Sequence, residues 1–384
     1  MIYADNAATT RLSDAAYNAM LPYLRDDYGN PSSAHKMGQY ARDAVEHARE
    51  TIARCINAEF PDEIIFTSGG TESNNQAIRS ALHNMAEYYF RHIVTTSIEH
   101  HSVLRTVERL VEQGEATATF VDPFRSGDID EEKIYDAIRG GTGVVSVMYA
   151  NNEVGVVQPI REIGEICEET GVIFHTDAVQ AVGHIPIDVR KDKVDYLSAS
   201  AHKFHGPKGV GFLYAKRREG AYPFIVGGAQ EQGRRAGTEN VSGIVGMAAA
   251  LDEAVRNMDK NIEHVTNLRD MLIDGLLDIS GSHLNGHGAH RLPGNVNMRF
   301  DGVEGNALVL SLDAHEICAS AGSACTTGDL EPSHVLMAMG QTPEEAHGAL
   351  RLSLSEYNTE SEIIEIIKAV KTEVERLRKL KGGM

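Results

Sequence analysis

The sequence predicts an α/β protein in which a large domain, built on a mainly parallel β-sheet, is joined to a smaller α+β domain. From residue 64 onward, short runs of β-forming residues alternate with helical patterns long enough to cross between parallel strands. The 384 residues also exceed the size at which a single core stops growing. We therefore predict a large domain over residues 14–257 and a small domain formed by residues 1–13 and 258–384.

The composition narrows the class of protein. A net charge of −19 and a pI near 5.3 disfavour nucleic acid and membrane surfaces as partners, because both are anionic. The sequence has no apolar run of about 18 residues that would span a bilayer, and its first residues lack the basic and apolar regions of a secretion signal. These features predict a globular protein of the cytoplasm.

The chain begins with two helical patterns. Ser13 is placed to cap a first helix, and residues 29–33 break the chain before a second helix over residues 34–56. A strand over residues 64–67 follows, and glycines then open the next helix. Gly70 lets backbone N–H groups approach an anion there, and Thr71 adds a hydroxyl, so the turn fits a phosphate cradle. An ordinary glycine turn with a helix cap explains the pattern about equally well.

Later strands also deliver polar residues at their carboxyl ends. The predicted strands cover residues 92–96, 144–150 and 172–175. The polar residues that follow them are His100, Asn152, Asp177 and Gln180. A single polar residue at such a place is more often a turn former than a ligand contact. In open α/β sheets, however, ligands bind outside the carboxyl ends of the strands. Polar residues at several strand ends in a row therefore indicate one binding crevice.

Lys203 lies at the end of another predicted strand, over residues 194–199. Gly206 and Pro207 prevent regular structure beyond it, and Ser200 and His202 flank the lysine. A lysine at this position is well placed to carry a carbonyl cofactor as a Schiff base. For an isolated lysine a solvated loop position is the usual explanation, so the prediction depends on the neighbouring strand ends.

The second half of the chain contains a long polar loop over residues 227–240, followed by a helix over residues 243–255. The small domain is predicted to start with a helix near residues 268–277 and to continue with a strand over residues 295–300 and a helix over residues 307–313. In the segment 349–355, the alternation of leucines with polar residues places Arg351 on the face opposite the leucines.

Helix caps mark the end of the chain. Thr342 begins a capping box with proline at the first helical position, and Thr359 caps the last helix. The apolar stripe of that helix is expected to be core. His283, His287 and His290 would share a helix face as a metal site, but the glycines between them favour a solvated loop, and we predict no metal site.

The four cysteines form no C-x-x-C pair, so the role of each cysteine is predicted from its own surroundings in the sequence. Cys55, Cys167 and Cys318 lie in apolar patterns and are predicted to be buried packing residues. Cys325 lies in a run of small residues that cannot build a core around it, so its sulfur should be reachable.

Ordered motifs along the whole chain resemble the cysteine desulfurases, which are pyridoxal 5'-phosphate enzymes of fold type I in the class V aminotransferase group. The resemblance runs from residue 3 to about residue 375. The motifs are Asp5-Asn-Ala-Ala-Thr-Thr10, Gly29-Asn-Pro-Ser-Ser33, Ser68-Gly-Gly-Thr-Glu-Ser73, Asn151-Asn-Glu-Val-Gly155, His202-Lys203, Arg235-Ala-Gly-Thr238, Gly322-Ser-Ala-Cys325 and Leu330-Glu-Pro-Ser-His334. The resemblance implies a large domain with a mainly parallel seven-stranded sheet flanked by helices.

The resemblance also implies roles for individual residues. Lys203 would hold the cofactor, Asp177 would pair with its ring nitrogen, and His100 would stack on the ring and assist proton transfer. Gln180 and Asn152 would also contact the cofactor ring. The phosphate would be bound by Gly70, Thr71, Ser200 and His202, and by Thr238 from a second subunit. Arg351 would clamp the substrate carboxylate bidentately, and Asn152 would be a second substrate contact.

The implied reaction converts L-cysteine to L-alanine. Lys203 would remove the α-proton, and the Cys325 thiolate would attack the substrate sulfur to form an enzyme persulfide. The implied partners are a second copy of the chain, in a homodimer, and a sulfur acceptor such as an iron–sulfur scaffold protein. A class V aminotransferase or a selenocysteine lyase would use the same cofactor site, and a sulfur-carrier hub whose main role is docking acceptors is a further alternative.

Four positions depart from the pattern of the family or make a residue's role ambiguous. Ala321 stands where many relatives have serine, and the adjacent pair His100 and His101 leaves two candidates for the ring-stacking histidine. Glu356 brings a negative charge close to Arg351 in sequence, and this charge would weaken carboxylate binding if the two side chains met.

Overall fold

The computed structural model describes residues 1–86, 90–321 and 331–382. The strands are β1 (Ile2–Tyr3), β2 (Ile64–Thr67), β3 (His92–Thr96), β4 (Thr117–Val121), β5 (Thr142–Ser146), β6 (Ile173–Asp177), β7 (Tyr196–Ser200), β8 (Gly211–Ala215), β9 (Ser282–Leu284), β10 (Asn295–Phe300), β11 (Ile317–Cys318), β12 (Ser320–Ala321) and β13 (Ala349–Ser353).

The helices alternate with these strands. They are α1 (Asp14–Arg25), α2 (Lys36–Cys55), α3 (Gly70–Asn84), α4 (His101–Glu112), α5 (Glu131–Ala137), α6 (Ile160–Thr170), α7 (Val241–Arg256), α8 (Met258–Leu277), α9 (Gly305–Asp313), α10 (His334–Ala338), α11 (Pro343–His347) and α12 (Glu360–Gly382).

Within the described residues, seven strands form the large sheet in the order β2-β8-β7-β6-β5-β3-β4. All neighbouring pairs are parallel except the two that involve β8. Strands β5, β6 and β7 are buried along their whole length, because helices cover both faces of a parallel sheet. The predicted α/β class with a mainly parallel seven-stranded sheet is confirmed.

Two strands of this sheet were not predicted from the sequence. Strand β4 forms an edge whose side chains are largely exposed, so it lacks a clear apolar signal. Strand β8 follows the glycine-rich turn after Lys203 and pairs antiparallel with both β2 and β7. The predicted strand over residues 144–150 is shorter, since β5 ends at Ser146, although the backbone N–H groups of Val147 and Tyr149 still bond to the segment of β6.

A second, antiparallel sheet has the order β12-β13-β10-β9. On β13, Leu350 and Leu352 point into a core shared with α8, α9 and α12, and Arg351 takes the opposite face, as predicted. Helix α8 begins at Met258, ten residues before the predicted helix, and only Asn257 separates it from α7. The division of the chain at residue 257 stays a proposal, because Leu336 and Ala349 from the C-terminal part pack into the core of the large sheet.

The predicted caps are present. The Ser13 hydroxyl accepts the backbone N–H of Ala16 at 3.1 Å, and Thr342 and Glu345 form a capping box with proline at the first helical position. Thr359 accepts from the backbone N–H of Glu362 at the start of α12. Local sequence therefore determines where these helices begin.

The cysteine prediction holds only in part. Cys167 is buried, but Cys55 and Cys318 are half-buried. Cys55 is the last residue of α2 and Cys318 lies in a two-residue strand, and such short or terminal positions leave one side of a thiol uncovered. In the described part of the chain, no helix combines the length and apolar character needed to cross a membrane.

Candidate active site

The carboxyl ends of the parallel strands open into a cavity of about 560 Å³. Ten residues singled out from the sequence line it together: Gly70, Thr71, His100, Asn152, Asp177, Gln180, Ser200, His202, Lys203 and Arg351. They come from positions spread over 280 residues of chain, and the sheet topology brings them together because strand ends of one parallel sheet meet at one edge.

The N-terminus of α3 forms one end of the cavity. Gly69 precedes it with φ +149°, and no side chain caps the first turn, so backbone N–H groups at Gly70 and Thr71 are left for a ligand. Gly70 has no room for a side chain, since a Cβ there would lie 2.5 Å from Cγ2 of Val179. The helix dipole and these N–H groups suit an anionic group such as phosphate.

An acidic side chain beside this turn is neutralised in place. Glu72 lines the cavity, but its Oε1 accepts from Arg235 Nε at 2.8 Å and its Oε2 accepts from the Ser68 backbone N–H at 2.8 Å. These bonds hold the pKa of Glu72 below its ordinary value against the opposing effect of burial. Arg235 therefore offsets the negative charge that would otherwise repel an anion.

Asp177 ends strand β6 at the cavity wall and is 5% exposed. Its Oδ2 accepts from Asn74 Nδ2 at 2.6 Å, and its Oδ1 accepts from the Val179 backbone N–H at 3.0 Å. A carboxylate fixed in this way can accept a hydrogen bond from a protonated ring nitrogen of a ligand in the cavity.

Lys203 lies in a short 3₁₀ turn directly after β7. Its Nζ donates to the backbone oxygens of Ala7 and Ala8, at 2.6 and 2.8 Å. The N-terminal segment thus holds the amine at the cavity, a contact that the local sequence does not signal.

The two adjacent histidines have different surroundings. His100 lines the cavity, and its Nδ1 accepts from the Ser102 backbone N–H at 3.1 Å. His101 instead packs against His334, with 4.7 Å between ring centroids. Burial lowers the pKa of His100, Asp177 opposes this effect and Lys203 adds to it. The geometry favours His100 as the histidine that faces a ligand.

His202 stands beside the lysine and is neutral near pH 7, because burial, with Lys203 and Lys208 adding to it, lowers its pKa to about 4. Its Nδ1 lies 3.2 Å from the hydroxyl of Thr9. A neutral imidazole at this place can donate one hydrogen bond to an anion without adding a charge.

Arg351 also lines the cavity and is 2% exposed. Its Nη1 donates to the backbone oxygen of Asn152 and its Nη2 donates to Asp5 Oδ1, both at 3.0 Å. Among the described residues its buried Nε has no hydrogen-bond partner. A guanidinium with a free donor at a cavity wall suits a carboxylate ligand.

The acidic residue that contacts Arg351 is Asp5 and not Glu356. The Glu356 carboxylate lies 3.2 Å from His205 Nε2, with which it forms an ion pair. The expectation that Glu356 weakens carboxylate binding at Arg351 has no support in this contact. Glu356 is close to Arg351 in sequence but does not contact it, because β13 ends at Ser353 and the chain then leaves the cavity.

The chain matches the family described as Aminotransferase class-V over residues 2–366. It is 48% identical over 381 residues to the cysteine desulfurase IscS of Methanosarcina thermophila, and the alignment covers 99% of this chain and 93% of the relative. The chain belongs to the cysteine desulfurases of the class V aminotransferase family.

Solved structures share the fold of this chain. A NifS-like protein superposes with a TM-score of 0.91 at 38% identity, covering 97% of this chain and 99% of that chain. A structure of SspA in complex with cysteine superposes with a TM-score of 0.82 at 35% identity, covering 94% of this chain and 100% of that one.

Of the residues expected in a desulfurase site, Thr238 does not line the main cavity of its own chain. Thr238 faces a separate, smaller cavity that shares Ser68 and Gly209 with the main one. Cys325 lies outside the described residues. Burial raises the pKa of the Cys167 thiol, and it raises that of the Cys55 thiol to about 11. These two thiols are therefore poor candidates for a reactive nucleophile.

The loop that carries Thr238, residues 227–240, is fixed by one buried and one partly buried ion pair. Arg49 donates from Nη1 and Nη2 to the two carboxylate oxygens of Glu231, both at 2.8 Å, and Arg235 binds Glu72 as described above. Glu231 also accepts from the Phe66 backbone N–H at 3.0 Å. The sequence predicts the loop but not these anchors, because the partners lie far apart in the chain.

Proposed function

We propose that this chain is a pyridoxal 5'-phosphate-dependent cysteine desulfurase that converts L-cysteine to L-alanine and passes the sulfur to Cys325. The observation that carries the proposal is the shared cavity: a lysine amine, a buried carboxylate, an uncapped helix N-terminus and a buried guanidinium converge in a chain of the desulfurase family.

The residues present fit this cofactor. The uncapped turn at Gly70 and Thr71 suits the phosphate, and the buried Asp177 carboxylate suits the ring nitrogen. Ser200 and His202 would complete the phosphate site, while Gln180 and Asn152 would contact the ring substituents. When bound, the cofactor supplies an electron sink for bond breaking at the substrate's α-carbon.

The chain's own residues then have distinct tasks. Lys203 Nζ removes the α-proton, and Asp177 keeps the proton on the ring nitrogen. Arg351 orients the substrate through its carboxylate, and His100 assists proton transfer beside the ring. The Cys325 thiolate attacks the substrate sulfur. The carbon–sulfur bond breaks, a sulfur–sulfur bond forms on Cys325, and the α- and β-carbons take up protons to give alanine.

The test compares Cys325→Ala with Lys203→Ala. Cys325→Ala should fold, retain cofactor and bind L-cysteine, yet release almost no alanine. Wild-type protein treated with L-cysteine and then alkylated should carry one added sulfur on the peptide that contains Cys325. Lys203→Ala should lose the pyridoxyl adduct formed by borohydride. Normal turnover by Cys325→Ala, with no persulfide, would favour an aminotransferase or a selenocysteine lyase.

The proposal includes a homodimer in which Thr238 serves the partner's phosphate site. Three features support it. Thr238 does not line its own chain's main cavity. The adjoining segment exposes Phe224, Ile225 and Val226, of which Val226 is 84% exposed, and Ile225 is hydrogen-bonded to the loop through Ala236. Helix α1 also exposes Tyr17, Leu21 and Leu24 at helical spacing.

Mixing tests this arrangement. Lys203→Ala and Thr238→Val should each be inactive alone, and hybrid dimers should recover activity, because one of the two sites would then be intact. A monomer by light scattering at micromolar concentration would refute the dimer and leave the chemistry standing. Delivery of sulfur to an acceptor such as an iron–sulfur scaffold protein in the cytoplasm completes the proposal, and a hub role would be indicated if acceptor complexes mattered more than turnover.

A further inference from the structure

Asp5 is the acidic residue in direct contact with the guanidinium of Arg351. The Nη2 group of Arg351 donates to Asp5 Oδ1 at 3.0 Å, and the arginine is 2% exposed. The Asp5 side chain is 19% exposed, so solvent screens this ion pair far less than a surface pair. A substrate carboxylate that approaches Arg351 therefore meets a guanidinium that is already paired with a negative charge.

Asp5 is held in place from several directions. The same Oδ1 accepts from the Ser320 hydroxyl at 2.8 Å. The backbone of Asp5 bridges to Ser353 on β13, and the Asn6 backbone N–H donates to the Ser353 oxygen at 3.1 Å. The carboxylate cannot easily withdraw when a ligand arrives, because its backbone is tied to the strand that carries Arg351.

Other charged groups reach Arg351 less directly. Glu153 interacts electrostatically with Arg351, but burial raises its pKa to about 7 and its carboxylate accepts from the Ser333 hydroxyl. Glu356 is paired with His205. Within the described residues, Asp5 is thus the acidic side chain with a hydrogen bond to Arg351.

We propose that Asp5 is a positioning and affinity-setting residue for the substrate carboxylate: its hydrogen bond holds the Arg351 guanidinium in place, while its charge weakens the attraction of Arg351 for a second carboxylate. The inference rests on the proposed function, because it assumes that Arg351 binds the substrate carboxylate. A moderate carboxylate affinity allows alanine to leave after each turnover, since product and substrate share that group.

The two effects of Asp5 can be separated by substitution. Asp5→Asn keeps an oxygen that can accept from Arg351 and Ser320 but removes the charge. Asp5→Ala removes both the charge and the acceptor. Asp14→Asn is the matched control. It removes one negative charge from the same end of the chain, but the ion pair that Asp14 forms with Arg11 is exposed.

The measurement is calorimetric binding of two ligands to the cofactor-loaded protein. L-Alanine carries the carboxylate, and L-alaninamide has the same amine and methyl group without that charge. Asp5→Asn should bind L-alanine on the order of 10-fold more tightly than wild type and L-alaninamide about equally, because only the charge repulsion is removed. Asp5→Ala should bind L-alanine less tightly than Asp5→Asn, since the guanidinium is no longer held. Asp14→Asn should match wild type.

Each outcome has a distinct meaning. An unchanged or weaker affinity of Asp5→Asn for L-alanine, or an equal gain for L-alaninamide, overturns the inference. If Asp5→Asn does not fold, Asp5→Ser removes the same charge and is judged by the same criterion. Arg351→Lys tests the underlying assignment: it should lose affinity for L-alanine and keep it for L-alaninamide. If it binds both like wild type, the proposed role of Arg351 fails, whereas a loss there without a gain in Asp5→Asn refutes the role of Asp5 alone.

Discussion

The buried ion pair between Arg49 and Glu231 predicts a large loss of stability when its carboxylate is removed. The two side chains are 5% and 3% exposed, and both carboxylate oxygens accept from the guanidinium at 2.8 Å. Glu231→Ala leaves this guanidinium buried. Its remaining hydrogen-bond partners would be the Ile64 backbone oxygen and Glu46, whose side chain is 53% exposed.

The magnitude follows from the geometry. Removing one partner of a buried ion pair typically costs about 3–5 kcal/mol, because the other charge stays desolvated. Glu231→Ala also leaves the Phe66 backbone N–H without its acceptor, which places the expected loss in the upper half of that range. Glu46→Gln changes only the exposed contact with the same arginine and should cost about 1 kcal/mol or less.

The assay is urea denaturation of both variants, followed by circular dichroism, together with a measurement of dimer mass. Because Glu231 anchors the loop that carries Thr238, Glu231→Ala should also weaken association of the subunits. A loss of stability no larger than that of Glu46→Gln would refute the reasoning, since it would mean that the loop does not depend on the buried pair.

Two further predictions concern pH and the cofactor. Burial lowers the pKa of His205, but pairing with Glu356 outweighs it and raises this pKa above its ordinary 6.5. Burial likewise raises the pKa of Glu356, but pairing with His205 brings it below its ordinary 4.5. The pair should therefore stabilise the fold most between pH 4.5 and 6.5, and its contribution should be lost as pH rises through the raised pKa of His205. The difference in melting temperature between wild type and Glu356→Gln should therefore shrink from pH 6 to pH 9, and a constant difference would contradict this. Gly70→Ala should lower cofactor affinity at least about 10-fold in an absorbance titration, because its Cβ would lie 2.5 Å from Val179, whereas Gly140→Ala, which has open space around it, should not.

The sequence predicted the elements whose signals are local. Helix caps at Ser13 and Thr342, the alternation around Arg351 and the glycine turn before α3 all lie within a few residues of what they determine. The sheet class followed from the succession of strands and crossover helices. Strand β4 was missed because an exposed edge strand needs no apolar pattern, and β8 because the glycine-rich turn before it obscured its start.

The sequence predicted residues that line one cavity, but not the contacts that these residues make. The strand-end rule brought together Asp177, Lys203 and their neighbours without any distance information. No local pattern indicates that Ala7 and Ala8 hold the lysine amine, or that Asp5 contacts Arg351, because these contacts join residues separated by 195 to 346 positions. Small residues such as alanine leave no chemical signal when their backbone oxygens are the groups that act.

The N-terminal segment, residues 5–10, connects the two parts of the site. At one end, Asp5 bonds to Arg351, and the Asn6 side chain donates to the Ser353 oxygen. At the other, the oxygens of Ala7 and Ala8 hold Lys203, and the Thr10 hydroxyl donates to the His202 oxygen. Backbone contacts of this kind fix the distance between the amine and the guanidinium. A substrate held by its carboxylate at Arg351 then meets Lys203 at a separation set by this segment, and a shift in the segment should change turnover more than the fold.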